Sequence, residues 1–216
     1  NGYPDKDYKA LTERLRSGFP EAKYIDISGL LSADDFYYTD SHWRQERITK
    51  VADEIAAQMG AERIGTCEIQ DTGRPFYGVY YGQAALPHAP ERLFYLDNAV
   101  IRGLKVYNVE TQSDIPVYDL GAAAGRDPYE MFLGGARSII KITNPNAAQE
   151  RRLIVFRDSF GSSIAPLLAA GYSEITLVDI RYISPLSLGK LIDFTKADDA
   201  LFLYSASVIN NSETIK

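Results

Sequence analysis

Apolar positions along this chain switch between a helical and a strand period. Over Asp7 to Arg16, Tyr8, Leu11 and Leu15 fall on one helical face; Lys23 to Ile27 alternates as a short strand, and Ser28 is placed to cap a turn. Arg44 to Met59 carries the clearest helical stripe, formed by Ile48, Val51, Ile55 and Met59 and closed by Gly60. The preceding segment, Tyr37 to Trp43, therefore reads as a loop feeding a helix. From about Gly65 to Pro145 the texture becomes short, Tyr-rich runs punctuated by Gly and Pro: Phe76 to Tyr81, Leu93 to Leu96, Leu104 to Val109 and Pro116 to Leu120. These predict a β-rich insertion.

Beyond the turn signal Asn144-Pro145-Asn146, longer elements return. Arg152 to Phe156 reads as a buried strand, Ser159 to Ala170 as a helix, Glu174 to Ile180 as a strand, Ser187 to Phe194 as a helix and Ala200 to Tyr204 as a strand. That alternation predicts an α/β domain with a parallel sheet, right-handed crossovers and flanking helices. Pro166 implies a kink in the first of these helices or a later start. One domain is expected over residues 1–216, with the insertion at about 65–145.

Composition adds exclusions. The 216 residues are 45% hydrophobic, enough for one substantial core. No run approaches the roughly 18 apolar residues of a membrane span, and the start lacks the layout of a signal peptide. A net charge of −6 without a Lys/Arg cluster argues against a nucleic-acid partner. Cys67 is alone, so neither an intrachain disulfide nor a Cys-based metal site is expected. The fifteen Tyr residues suit a half-buried sheet, or a sugar-binding surface.

Two short constellations carry candidate chemistry. Arg152 to Phe156 runs into Arg157-Asp158-Ser159-Phe160-Gly161 and directly into a helix. A serine there lies at the carboxyl end of a strand, where open α/β sheets bind ligands, with a helix N-terminus behind it to favour a developing oxyanion. Gly161 would let backbone approach that group. Asp and Ser are also preferred helix caps, so the same residues admit a purely structural reading. Ser162 and Ser163, further in, read as packing residues. Of the two histidines, His88 lies in a Pro-framed loop and reads as exposed, whereas His42 follows Asp40 by two positions. A carboxylate can then hold one ring nitrogen while the other faces a serine, the relation of orienter and base that acyl transfer requires. Capping is again the alternative for Asp40. No second His or Cys stands at ligand spacing, so no metal or other cofactor is expected.

Tyr37-Tyr38-Thr39-Asp40-Ser41-His42-Trp43 resembles the signature of the bacterial DHHW family, with Ser41 in place of its first His. Arg157-Asp158-Ser159-Phe160-Gly161, Tyr172-Ser173-Glu174-Ile175 and Val178-Asp179-Ile180-Arg181-Tyr182 resemble its second half. The family is in turn similar to SGNH-type proteins that O-acetylate alginate and other exported polysaccharides. The resemblance implies an SGNH-hydrolase-like, flavodoxin-like sheet, with Ser159 as nucleophile, His42 as base and Asp40 as its orienter. Oxyanion or substrate contacts are implied near Arg181, Tyr182, Ser205, Gly161 and Gly135, Ser205 standing where such proteins usually carry Asn. The expected activity is esterase or O-acetyltransferase chemistry on an extracellular or cell-wall polysaccharide. Its partners would be a polysaccharide or acyl-sugar substrate and a membrane-bound acyl-donor protein. The implied setting is bacterial and extracytoplasmic, secreted or anchored through a segment absent from this chain. The alternative is a noncatalytic carbohydrate-binding or scaffold module that keeps the fold with a decayed site.

Overall fold

The computed structural model describes residues 7–84 and 88–211. Its centre is a six-stranded sheet built from β3 (Lys105–Asn108), β4 (Ser113–Ile115), β5 (Ile139–Thr143), β6 (Arg152–Arg157), β7 (Glu174–Val178) and β8 (Asp199–Leu203), in the order β4-β3-β5-β7-β6-β8. β6 pairs in parallel with both β7 and β8, whereas β7 with β5, β5 with β3 and β3 with β4 pair antiparallel. The sheet is thus mixed, and the expectation of a parallel sheet holds only around β6. Leu153, Ile154 and Val155 are buried on both faces of β6, the continuous apolar pattern of a strand covered on two sides.

Helix α1 (Tyr8–Gly18) has no buried residue, and α2 (Thr49–Met59) buries Val51, Ala52, Ile55 and Ala56. α2 is shorter than its sequence pattern: Gln45–Arg47 forms a 3-10 turn, and the α-helix begins only at Thr49. Gly60 ends it in the left-handed region at φ 64°, as expected of a C-terminal glycine. The alternation over Lys23 to Ile27 forms no strand and pairs with neither sheet, although Ile25 and Ile27 pack against the core. α3 (Val79–Ala84) replaces the strand expected at Phe76 to Tyr81. α4 (Ala99–Gly103) lies between β2 and β3. α5 (Phe160–Leu168) starts directly after Ser159 and carries Pro166 inside it, so the helix does not start late. α6 (Pro185–Leu188) is a stub of the helix expected over Ser187 to Phe194, and α7 (Ala206–Asn210) follows β8.

One face of the sheet packs on α2 and α5 through Ile140, Ile142, Leu153, Val155, Ile175 and Leu177. The other buries Ile139, Ile154 and Val178 against Leu188 and Ile192. β1 (Glu68–Phe76) and β2 (Glu91–Asp97) form a separate two-stranded sheet. Phe76 and Leu93 from it pack with Tyr37, Tyr129, Met131 and Phe132. The middle of the chain is therefore only partly an insertion, since β3, β4 and β5 from it complete the main sheet.

Candidate active site

Ser159 stands at the turn from β6, the strand that pairs in parallel on both sides, into α5. Its backbone is already helical, at φ −60° and ψ −23°, and its side chain does not cap the helix. Asp158 does that instead. The Phe160 N–H donates to Asp158 Oδ1 at 3.0 Å, and the Ser205 N–H, at the end of β8, donates to Asp158 Oδ2 at 2.7 Å. With the cap supplied by its neighbour, the Ser159 hydroxyl is left to face His42, 2.7 Å from Nε2.

The loop carrying His42 is closed by the bridge Phe36↔Trp43 and by Tyr37 N–H donating to His42 O and Arg44 N–H to Asp35 O. Within it, Asp40 Oδ1 lies 2.5 Å from His42 Nδ1 and accepts the His42 N–H at 3.0 Å, while Oδ2 accepts the Val79 N–H of α3 at 3.0 Å. Burial pushes the Asp40 carboxyl upward, but the bonds from the His42 ring and from the two N–H groups outweigh it and hold the group below its ordinary value. An ionised Asp40 places the imidazole proton on Nδ1, so Nε2 is the acceptor facing the serine. Asp40 is 5% exposed and does not cap α2, which begins nine residues later at Thr49; the helix N–H it accepts is that of Val79, at the start of α3.

The ring of His42 is clamped by packing. Tyr129 stacks on it at 4.0 Å between centroids with 15° between planes, and Phe160 lies at 5.0 Å on a tilt. Tyr129 is itself fixed at its hydroxyl, which donates to Ser163 Oγ at 2.7 Å, as does Trp43 Nε1 at 2.7 Å. Burial pushes the Tyr129 phenol far up, so it stays a donor. Gln45, fully buried, ties the end of this loop to α5 and β2: Nε2 donates to Ser163 O and Tyr118 Oη, and Oε1 accepts the Leu96 N–H. Glu91 accepts from the N–H groups of Tyr38 and Thr39 and from the Thr39 hydroxyl.

Of the N–H groups from Ser159 to Ser162, Gly161 donates to Asp158 O and Ser162 to Ser159 O, and Phe160 is taken by the Asp158 carboxylate. Among the described residues the Ser159 N–H makes no hydrogen bond. Gly161 has a different role from the expected close approach to a reacting group. A Cβ there would sit 2.6 Å from Arg157 Cβ, so the glycine makes room for that side chain. Ser205 is also committed, its N–H to Asp158 and its hydroxyl to the Val208 N–H that starts α7. Gly135, at φ 75°, spends its N–H on Phe132 O and its carbonyl on Arg157 Nη2. The backbone N–H of neither is a free donor. Arg181 is held by Asp179 through Nε at 2.9 Å and Nη2 at 2.7 Å and stays partly exposed, and its guanidinium lies 5.4 Å from the ring of half-exposed Tyr182. Ser41 is exposed, and His88 is exposed and stacked on Tyr38, away from this chain of hydrogen bonds.

Sequence reasoning missed Val79, Tyr129, Ser163, Gln45 and Glu91, which hold the site in place, and Arg157. Arg157 is fully buried among the carbonyls of Gly135, Arg137 and Asp158, with Asp179 at 3.8 Å, and its charge braces the carboxyl ends of β6 and β7. Its signal was a cation at the inward position that ends an otherwise apolar strand. Among the described residues no group of three or more His, Cys, Asp or Glu side chains could hold a metal ion, and no helix is long and apolar enough to cross a membrane.

Fold and site together define an α/β protein with a hydrogen-bonded Asp-His-Ser chain at the carboxyl end of β6. The chain belongs to the DHHW family, whose model, described as DHHW protein, matches residues 30–178. Among solved structures it is similar to a DHHW family protein from Eubacterium siraeum, with a TM-score of 0.70 and 19% identity over 99% of this chain and 77% of that one. It is also similar to Bacillus cereus PatB1 with a sulfonyl adduct, with a TM-score of 0.65 and 20% identity over 90% of this chain and 67% of that one. A second PatB1 structure gives 0.60 and 20% over 82% and 64%. At these identities the likeness is one of fold. No curated protein sequence matches the chain closely enough to count as a relative.

Proposed function

We propose that this protein is a serine acyl transferase or esterase of the SGNH type, acting on O-acyl groups of an extracellular or cell-wall polysaccharide. The observation that carries the reading is the continuous chain Asp40–His42–Ser159, with spacings of 2.5 and 2.7 Å and the serine relieved of capping. His42 Nε2 takes the proton of Ser159 as Oγ attacks the acyl carbonyl carbon. The resulting oxyanion meets the Ser159 N–H and the positive end of α5. On collapse the leaving alkoxide receives the proton from His42, and the acyl group remains on Ser159. Water or a sugar hydroxyl, deprotonated by the same His42, then releases it as acid or as a new ester. Asp40, held ionised, stabilises the imidazolium formed in each half. Arg181, fixed on Asp179, and Tyr182 are the substrate contacts in this reading. An adduct of the kind named for PatB1 resembles an acyl group on a nucleophile, which supports acyl chemistry on this fold. The setting is extracytoplasmic, with a membrane-bound protein as acyl donor.

The test is labelling with a fluorophosphonate and peptide mapping. Label on Ser159, lost in Ser159→Ala and slowed in His42→Ala, is expected; a folded protein that takes no label, or keeps it in Ser159→Ala, would overturn the assignment. A noncatalytic glycan-binding module is the second reading, favoured by the commitment of Ser205 where an oxyanion donor was expected. It calls for glycan binding that survives Ser159→Ala without cleavage of p-nitrophenyl acetate.

A further inference from the structure

The strand β1 is irregular between Asp71 and Pro75, where its register on β2 shifts and Gly73 adopts φ 67°. Such a bulge re-aims the side chains beside it. Arg74 lies in the bulge, on the wall of a cleft of about 330 Å³ that it shares with Pro75, Tyr77, Ala123, Arg126 and Pro128. That volume is at the lower end of small-molecule sites and suits one sugar unit.

Two features set this cleft apart in a chain of net charge −6. First, Arg74 and Arg126 are exposed and neither has a carboxylate partner among the described residues. The nearby acids are engaged elsewhere: Asp71 with Arg92, Asp127 with the Tyr129 N–H, and Asp119 with the N–H groups of Gly121 and Ala122. Second, both walls run straight into the catalytic loop. Tyr77 precedes Gly78, whose N–H donates to Thr39 Oγ1, and Pro128 precedes Tyr129, whose ring covers His42. The ring of Tyr77, partly exposed and 4.6 Å from that of Tyr81, offers an apolar face with a polar tip beside the two cations.

We propose that this cleft is a subsite for a carboxylate-bearing sugar unit of a glycan chain, with Arg74 and Arg126 on the carboxylate and Tyr77 against the ring. Guanidinium groups bind carboxylates through paired N–H donors, and an acidic polymer approaching a negatively charged protein needs such a local positive point to seat on. The choice of a glycan rests on the proposed acyl transfer at Ser159; the binding itself does not depend on turnover.

The test is calorimetric titration of the Ser159→Ala chain at low ionic strength with trigalacturonate and with its methyl ester, which differ only in the carboxylate charge. The free acid is expected to bind at least about tenfold more tightly than the ester. R74Q/R126Q should lower that affinity at least about tenfold, while R74K/R126K, keeping charge but not the paired donors, retains part of it. Both side chains are exposed, so these variants should melt with the parent. Equal affinity for acid and ester, unchanged binding by R74Q/R126Q, or no binding of trigalacturonate at millimolar concentration overturns the subsite. Intact binding with an unlabelled Ser159 would remove the proposed acyl chemistry and leave the subsite standing.

Discussion

Gly78 marks a close approach between the loop carrying Asp40 and His42 and the start of α3. A Cβ built there would lie 2.2 Å from Thr39 O, 2.5 Å from Thr39 C and 2.4 Å from Asp40 Cβ. Two of those atoms are backbone, and none is the end of a flexible side chain. The carbon pair falls more than 1 Å short of the usual contact distance of roughly 3.5 Å, so Gly78→Ala must push the two segments apart. Three bonds cross this point: Gly78 N–H to Thr39 Oγ1, Val79 N–H to Asp40 Oδ2 and Tyr80 N–H to Thr39 O, at 2.9, 3.0 and 2.9 Å. Overpacking costs about 1–3 kcal/mol and the lost bond to a buried carboxylate about 1.5–3 kcal/mol; because the two overlap, a loss of about 2–4 kcal/mol is expected. Asp40 would also turn relative to His42, and a misplacement of about 1 Å can lower turnover about 10²-fold. Urea unfolding followed by Trp43 fluorescence, with p-nitrophenyl acetate cleavage on the same samples, measures both. Gly82→Ala is the control. It lies in the same short helix with open space around its Cα, and should be neutral or gain up to about 1 kcal/mol. If Gly78→Ala unfolds at the same urea concentration as Gly82→Ala, the close approach is not real and the argument falls.

Ser163→Ala removes the acceptor of Trp43 Nε1 and the nearer of the two acceptors of Tyr129 Oη, leaving it only Trp43 O at 3.4 Å; a loss of about 1–3 kcal/mol in chemical denaturation is expected, with slower labelling of Ser159 as Tyr129 loosens over His42. Asp158→Ala removes the acceptor of the Phe160 and Ser205 N–H groups and should cost about 2–3 kcal/mol; retention of wild-type stability and labelling would contradict the division of roles between Asp158 and Ser159. The lowered pKa of Asp40 fixes the sign of a pH effect: its contribution to stability is fully present above the ordinary value of 3.8 and is lost as pH falls through the lower folded value. The difference in melting temperature between wild type and Asp40→Asn should therefore be constant at neutral pH and shrink only below about pH 4; a difference that disappears already near pH 6 would show that another group is responsible.

What the sequence made legible was local. Asp40 and His42 are two positions apart, and Ser159 sits where an apolar strand meets a helix, so their chemistry can be read from short windows. β6, α5 and β7 follow from runs of largely buried residues, and β8, an edge strand that buries only Leu201, from its short apolar run. The supporting residues come from far along the chain: Ser163 meets Trp43 across 120 positions and Gln45 reaches Leu96 across 51. No periodicity encodes such pairings. The Tyr-rich middle misled for a related reason. Lys105–Asn108 and Ile139–Thr143 are as short as strands of a small insertion, and only their partners, β5 for the one and β7 for the other, place them in the main sheet. Conversely, Lys23 to Ile27 has the alternation of a strand but no paired neighbour, and alternation without a paired edge leaves its backbone irregular.

The Asp-Ser pair resolves a conflict built into any nucleophile at a strand-to-helix turn. The same helix N-terminus that favours an oxyanion also offers unpaired N–H groups that a serine hydroxyl can accept from, and a hydroxyl so engaged is a poorer partner for a base. Here the residue before Ser159 takes over. One carboxylate oxygen of Asp158 receives the Phe160 N–H, and the other reaches across to the Ser205 N–H, locking the ends of β6 and β8 together. Arg157, one step earlier, donates to the Asp158 carbonyl and to Ser162 Oγ, so the next hydroxyl in the helix is occupied as well. Gly161 is required because that guanidinium stem passes over it. Arg157, Asp158 and Gly161 thus form a frame around Ser159 in which every first-turn donor but the Ser159 N–H is spent. The hydroxyl is left to His42 and the amide to whatever negative charge develops beside it. Each of the three residues reads as an ordinary strand end, cap or packing glycine alone, and only their arrangement around Ser159 keeps its hydroxyl out of the helix cap.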